Sequence, residues 1–250
     1  MTKATVSADQ VTAAMLAALP ADQRSLLVKD PDSSHVAGAW ICDREWMDEQ
    51  MRLGRLRWRT DDLFVLGTLW WYSVSRQLIT PTITSSFLTG TPLSPELGDV
   101  TLHWRSDGII RGVTSYRVAT EPMATVLDTA LGTTIEQVAR ICGKGERRLW
   151  SLAVDSIANC YLRLGVAVGR VEEAQDAAKR LVGDISEKLP QPRFESVHSG
   201  QGDVRQVFVR RGSCCLIYKA PDKNYCMSCP RQHPETRHER LRDRAARAAG

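Results

Sequence analysis

No apolar run in this sequence is long enough to cross a bilayer. The longest apolar-rich stretch, Leu63 to Val74, falls well short of the roughly 20 residues a membrane-spanning helix needs. Met1 to Gln10 is polar and lacks the apolar segment of a secretory leader. Both absences make the cytoplasm the expected compartment. Strong charge is missing too: a net charge of +4 over 250 residues does not by itself argue for nucleic acid. No internal repeat, helix-turn-helix pattern or nucleophilic triad is visible. Gly143-Lys144-Gly145 is only a fragment of a dinucleotide-binding glycine motif, without the third glycine or a preceding strand, and reads as a turn between helices.

Cysteine is scarce over the first 213 residues. Cys42, Cys142 and Cys160 are scattered there, as small buried hydrophobes are. An odd total of seven in a reducing compartment speaks against a disulfide framework. Four thiols then fall within sixteen residues: Cys214-Cys215, ten spacer residues, and Cys226-Met227-Ser228-Cys229. Thiolates at this density are ligands for zinc or iron. Neighbouring cysteines in extended chain point to opposite faces, so Cys214 and Cys215 grip a single tetrahedral ion poorly. A dinuclear iron–sulfur cluster offers positions on two irons and accommodates that divergence. A zinc ribbon of unusual spacing remains the alternative.

The run Val209-Arg210-Arg211-Gly212-Ser213-Cys214-Cys215-Leu216-Ile217-Tyr218-Lys219-Ala220-Pro221-Asp222, followed by Cys226-Met227-Ser228-Cys229-Pro230, resembles the C-terminal signature of the FhuF-like ferric-siderophore reductases. Every cysteine of that pattern, CC-x10-C-x2-C after paired basic residues, is present. Weaker likeness extends upstream through Arg148-Leu149-Trp150-Ser151, Asn159-Cys160-Tyr161-Leu162 and Trp70-Trp71-Tyr72. The resemblance implies a [2Fe–2S] cluster on Cys214, Cys215, Cys226 and Cys229. It also implies an oxidoreductase that delivers one electron to siderophore-bound Fe(III) and releases Fe(II). With no flavin or nicotinamide fingerprint, the electron is expected from a separate ferredoxin or flavin reductase. Arg210, Arg211, Lys219 and Lys223 flank the cysteines and are candidates for docking the anionic chelate or an acidic donor. Nucleic acid is not an expected partner, and peripheral membrane contact is left open. The alternatives are an iron–sulfur redox sensor or regulator and a zinc-binding interaction module. Four thiols complete the ligand set, so His233 and His238 are not needed as ligands.

Periodicity and turn residues predict an α+β fold: a mostly helical body with a β-hairpin and a small C-terminal iron–sulfur module. The expected divisions are 1–192 for the body with its hairpin near 100–118, 193–234 for the cluster module, and 235–250 for a basic tail. Ser7 caps a helix that stops at Pro20. A short helix from Asp43 ends at Gly54. Thr60 caps a long one that ends or kinks by Pro81. Asp30 to His35 reads as a polar loop. Val100–Trp104 and Ile109–Val118 read as strands about Ser106-Asp107-Gly108. Pro122 opens a helix to Leu131, broken at Gly132 and restarted at Thr133 or Thr134 to reach Cys142. Arg147–Leu164 and Glu172–Leu189 are further helices, and Pro190-Gln191-Pro192 marks the boundary. Phe194–Val197 and Val204–Arg210 alternate as strands leading into the cysteines. Ala220-Pro221-Asp222-Lys223 is expected as a type I turn bringing the cysteine pairs together. Trp58, Trp70, Trp71, Tyr72 and Trp104 read as core rather than a chelate pocket. Arg237, Arg240, Arg242, Arg244 and Arg247 read as a frayed, solvated end.

Overall fold

Helix start signals are local, and in the computed structural model, which describes residues 6–21, 24, 34–143, 145–198 and 205–248, they fall close to where the sequence puts them. Ser7 and Gln10 exchange side-chain-to-backbone bonds in a capping box at the head of α1 (Ala8–Ala18). Asp43 Oδ1 accepts the Trp46 N–H at 2.7 Å to open α2 (Arg44–Trp58). Asp62 rather than Thr60 caps α3 (Leu63–Thr89), its Oδ1 accepting from Phe64 and Val65. Then follow α4 (Met123–Cys142), α5 (Arg147–Ala167) and α6 (Val171–Ile185).

Two expected breaks do not occur, and the helix expected to end or kink by Pro81 does not end there; packing outweighs propensity at each. Helix α2 runs through Gly54, which faces Leu66 of α3; a Cβ there would lie 3.3 Å from Leu66 Cδ2. The helix stops instead at Arg59, left-handed at φ 50°. Gly132 lies inside α4 opposite Trp150. Pro81 lies inside α3, where its missing N–H costs one helical hydrogen bond. The burial of Leu78, Ile79 and Ile83 on either side holds that turn in place.

Two small antiparallel sheets complete the α+β fold, and 59% of the described residues are helical. The expected hairpin is β2 (Val100–Trp104) with β3 (Ile110–Ser115), Leu102 opposite Val113, turning through Gly108 at φ 79°. Strand β1 (Ser34–Ala37) adds to its edge beside β2. Ser34 and His35 are therefore strand, not loop; residues 30–33 of that expected loop lie outside the described residues. The second sheet is β4 (Phe194–His198) with β5 (Arg205–Val209). Val204, expected in the strand, is likewise outside the described residues.

Helix α3 is the central post. Trp71, Val74, Leu78, Ile79 and Ile83 are fully buried among α2, α4, α5, α6 and the first sheet. Trp70 and Trp71 belong to this core, with Trp58, Tyr72 and Trp104 packed against it, so the aromatics are core as expected. Close helix approach depends on two glycines. A Cβ on Gly67 would lie 2.3 Å from Cys142 Sγ, and one on Gly165 would lie 2.6 Å from Ala174 Cβ. The β4–β5 hairpin lays Val209 on Ala158 and Leu162 of α5, with Phe194 and Val207 alongside. The chain after Pro234 is not frayed. It forms α7 (Pro234–Ala248), whose Leu241 and Ala245 are fully buried and whose Arg237 lies 3.9 Å from Glu195 of β4. An apolar contact every four residues along an otherwise charged helix is sufficient to dock it.

Candidate metal centre

From Val209 the chain leaves β5 and folds back through a series of one-turn bonds. Leu216 is left-handed at φ 66°, a sharp bend directly after the cysteine pair. The 3₁₀ turn Ile217–Lys219 follows, with the Ala220 N–H donating to the Ile217 carbonyl at 3.0 Å. The next turn closes where expected, Lys223 N–H donating to Ala220 O at 3.2 Å. Its type differs, however: Asp222 has φ 60°, the sign required at the third position of a type II turn. Aspartate tolerates that conformation, and its carboxylate meets Arg59 at 2.9 Å. Cys229 N–H then donates to Cys226 O, and the Gln232 side-chain amide donates to the carbonyls of Cys226 (2.7 Å) and Met227 (3.1 Å). The CxxC turn is thereby clamped from behind.

These turns bring Cys214, Cys215, Cys226 and Cys229 together as two pairs. Cys214 Sγ lies 3.5 Å from Cys229 Sγ. Cys215 and Cys226 form the second pair, their Sγ atoms lying 3.8 Å and 3.3 Å from the same guanidinium nitrogen, Arg211 Nη1. Among the described residues no three or more ligating side chains close on one metal position. The adjacent cysteines do diverge, and each finds its mate in the distant CxxC. Cys214, Cys215 and Cys229 are buried, while Cys226 is only partly covered and forms the side of the group nearest solvent. The Leu216 N–H donates to Cys214 Sγ at 3.4 Å. The shared proton from Cys226, the Ile217 N–H and a neighbouring guanidinium together hold the Cys215 thiol down to about 5, whereas Cys226 is pushed up. Elsewhere, burial pushes Cys142 and Cys160 up to about 11, and Cys42 is exposed.

The wall around the thiols comes from the helical body. Val65 and Leu69 of α3 pack directly on Cys214, Cys215, Leu216 and Cys229, with Trp58, Phe64 and Tyr72 at the margin. The four flanking basic residues separate into two kinds. Arg210, Lys219 and Lys223 are exposed. Arg211 is only 3% exposed, so it offers no surface for docking. Its Nη1 lies 3.3 Å from Cys226 Sγ and 3.8 Å from Cys215 Sγ, and its Nε lies 3.4 Å from Asp155 Oδ2. The guanidinium carbon is 4.4 Å from the centroid of the Tyr72 ring. Arg148 donates to the Cys214 carbonyl while lying over Phe64.

Asp155 was not singled out from the sequence, yet it organises this loop. Buried on α5, it accepts the Gly212 N–H at 2.8 Å on Oδ1 and the Ser213 N–H at 3.2 Å on Oδ2, besides Arg211. Its signal in the sequence is a lone carboxylate within the apolar run Leu152-Ala153-Val154-Asp155-Ser156-Ile157-Ala158. His233 and His238 are exposed, His233 lying 3.8 Å from Glu235.

Two features test whether the site fits a cluster. The donors are soft thiols in two pairs, which suits two irons better than one ion. Arg211 Nη2 and Arg148 Nε are buried without a hydrogen-bond partner among the described residues, so donors stand ready for an acceptor beside the thiols. Residues 211–231 match the family model of the FhuF 2Fe-2S C-terminal domain. That domain is defined by the cluster it binds, and the cofactor of this module is accordingly a [2Fe–2S] cluster. The match covers the C-terminal segment alone and makes residues 211–231 similar to the iron–sulfur module of FhuF-type proteins. No curated protein matches the chain.

Proposed function

We propose that the protein is a cytoplasmic ferric-siderophore reductase. In this reading Cys214, Cys215, Cys226 and Cys229 would together hold the cluster. The bound cluster supplies storage and passage of a single electron. The chain's own residues do the rest. Val65, Leu69 and Leu216 keep water from three of the four thiols. Cys226, partly exposed, lies at the side where a partner can approach. Arg210, Lys219 and Lys223 offer exposed positive charge around the module for an anionic chelate or an acidic ferredoxin. No acid, base or nucleophile is required, because one electron converts Fe(III) to Fe(II), and the hard oxygen donors of a siderophore hold Fe(II) far less tightly.

The observation that carries the reading is the complete CC-x10-C-x2-C set, inside the matched segment and folded into two thiol pairs. Residues 193–234 then act as the cluster module and 1–192 as the body it rests on, with 235–250 as a basic terminus for partner contact. No helix among the described residues is long and apolar enough to cross a membrane. The test is anaerobic stopped-flow mixing of dithionite-reduced protein with a panel of hydroxamate, mycobactin-type and catecholate ferric siderophores. Re-oxidation of the cluster with capture of Fe(II) by a ferrous trap is expected for at least one. A cluster that stays reduced with every chelate, despite a favourable potential difference, refutes the proposal.

A further inference from the structure

Arg211 and Asp155 form a buried ion pair with a directional arrangement. Nη1 of the guanidinium faces the Cys215/Cys226 pair, and Nε faces the carboxylate. The ring of Tyr72 covers one face of the guanidinium, which fixes its plane. Both side chains are nearly inaccessible, at 1% and 5% exposure, so the charges interact with little screening by water. The guanidinium Nη2 is an additional buried donor without a partner among the described residues. The carboxylate belongs to α5 of the helical body, the guanidinium to the loop that carries the thiols.

We infer that Arg211 and Asp155 are an opposed pair that sets the reduction potential of the cluster, Arg211 raising it and Asp155 holding it back. Reduction adds one negative charge to a group that four thiolates already make anionic. A cation in contact with two of those sulfurs favours the reduced state, and its N–H groups stabilise charge on sulfur. Asp155 cancels part of that cation's field from its far side while keeping the guanidinium aimed. Removing either partner therefore shifts the potential, and the two shifts have opposite sign. A purely architectural pair behaves differently: loss of either partner loosens the same loop, and both losses act in one direction. Arg211 and Asp155 are positioning residues in this account, acting on the cluster rather than on a substrate. The inference rests on the four thiols being the ligands, and it is independent of whether a siderophore is the acceptor.

The experiment is anaerobic redox potentiometry on wild type, Arg211→Gln, Arg211→Lys and Asp155→Asn, with iron, sulfide and visible spectra recorded on each. Wild type lacking iron and sulfide refutes the ligand set itself and is distinguished in that way. In the loaded fraction of Arg211→Gln the equilibrium constant for reduction is expected to fall at least tenfold, which is a shift of about 59 mV to lower potential. Asp155→Asn, which keeps the shape of the side chain, is expected to move the potential upward. Arg211→Lys keeps the charge without the fork and is expected between wild type and Arg211→Gln. Unchanged potentials, or shifts of the same sign in Arg211→Gln and Asp155→Asn, overturn the inference. If Arg211→Gln does not load, the signs in Arg211→Lys and Asp155→Asn decide; if none of the three loads, the pair serves assembly alone and the inference fails.

Discussion

Each of the seven cysteines has a distinct environment, and their chemistry divides accordingly. Cys142 and Cys160, held near 11 by burial, carry little thiolate at pH 8; Cys42 is exposed. Iodoacetamide treatment of the native, cluster-loaded protein at pH 8 is expected to modify Cys42 and spare Cys142 and Cys160, as read by peptide mass spectrometry. Serine at Cys214, Cys215, Cys226 or Cys229 is expected to abolish or bleach the visible spectrum, with wild type holding about two irons and two sulfides per chain. Alanine at Cys42, Cys142 or Cys160 is expected to leave that spectrum in place. Asp155→Ala strands the buried Arg211 and two backbone N–H groups, a loss of about 3–5 kcal/mol in anaerobic urea unfolding. The four cysteines were legible in sequence because their spacing is local and their divergence follows from extended geometry. Asp155 was not, because its partners lie 56 to 58 residues away and only tertiary packing brings them together.

At the level of elements, helix beginnings were legible and helix interruptions were not. Ser7, Asp43 and Pro122 act within one turn of themselves, so a short window suffices to read them. Gly54, Gly132 and Pro81 each carry a local penalty, but whether that penalty ends a helix depends on what the next helix supplies. Gly67 presents the same issue from the packing side. It allows α3 to meet α4 so closely that any Cβ would overlap Cys142 Sγ. Gly67→Ala is expected to destabilise the protein by about 1–3 kcal/mol, despite alanine's better helix propensity. Adding Cys142→Ala is expected to restore a large part of that loss, because it removes the sulfur the new methyl meets. A double-mutant cycle by urea unfolding measures the coupling. Helix α7 was missed as a docked element because Leu241 and Ala245 are only two small anchors in a segment dominated by charge.

For the molecule as a whole, the helical body forms a wall behind a thin ligand loop. Helices α3 and α5 cover the thiols with Val65 and Leu69, hold the loop through Asp155 and Arg148, and leave Cys226 toward solvent. A surface that exchanges electrons with a charged partner through Arg210, Lys219 and Lys223 is expected to do so more slowly as ionic strength rises. Reversing two of these charges, Arg210→Glu with Lys223→Glu, is expected to slow transfer from the donor protein further while leaving the cluster spectrum intact. NADPH alone is expected not to reduce the protein, since no dinucleotide-binding glycine motif is present. The most direct measurement of the central claim is a stoichiometric one. Reduced, cluster-loaded protein is titrated anaerobically with a ferric siderophore in the presence of a ferrous trap, recording cluster absorbance and trapped Fe(II) together. One Fe(II) captured per cluster re-oxidised, with the signal lost in Cys226→Ser, is the result this account predicts; Fe(II) release that does not track cluster oxidation, or stoichiometric zinc without sulfide in the anaerobically purified protein, would contradict it.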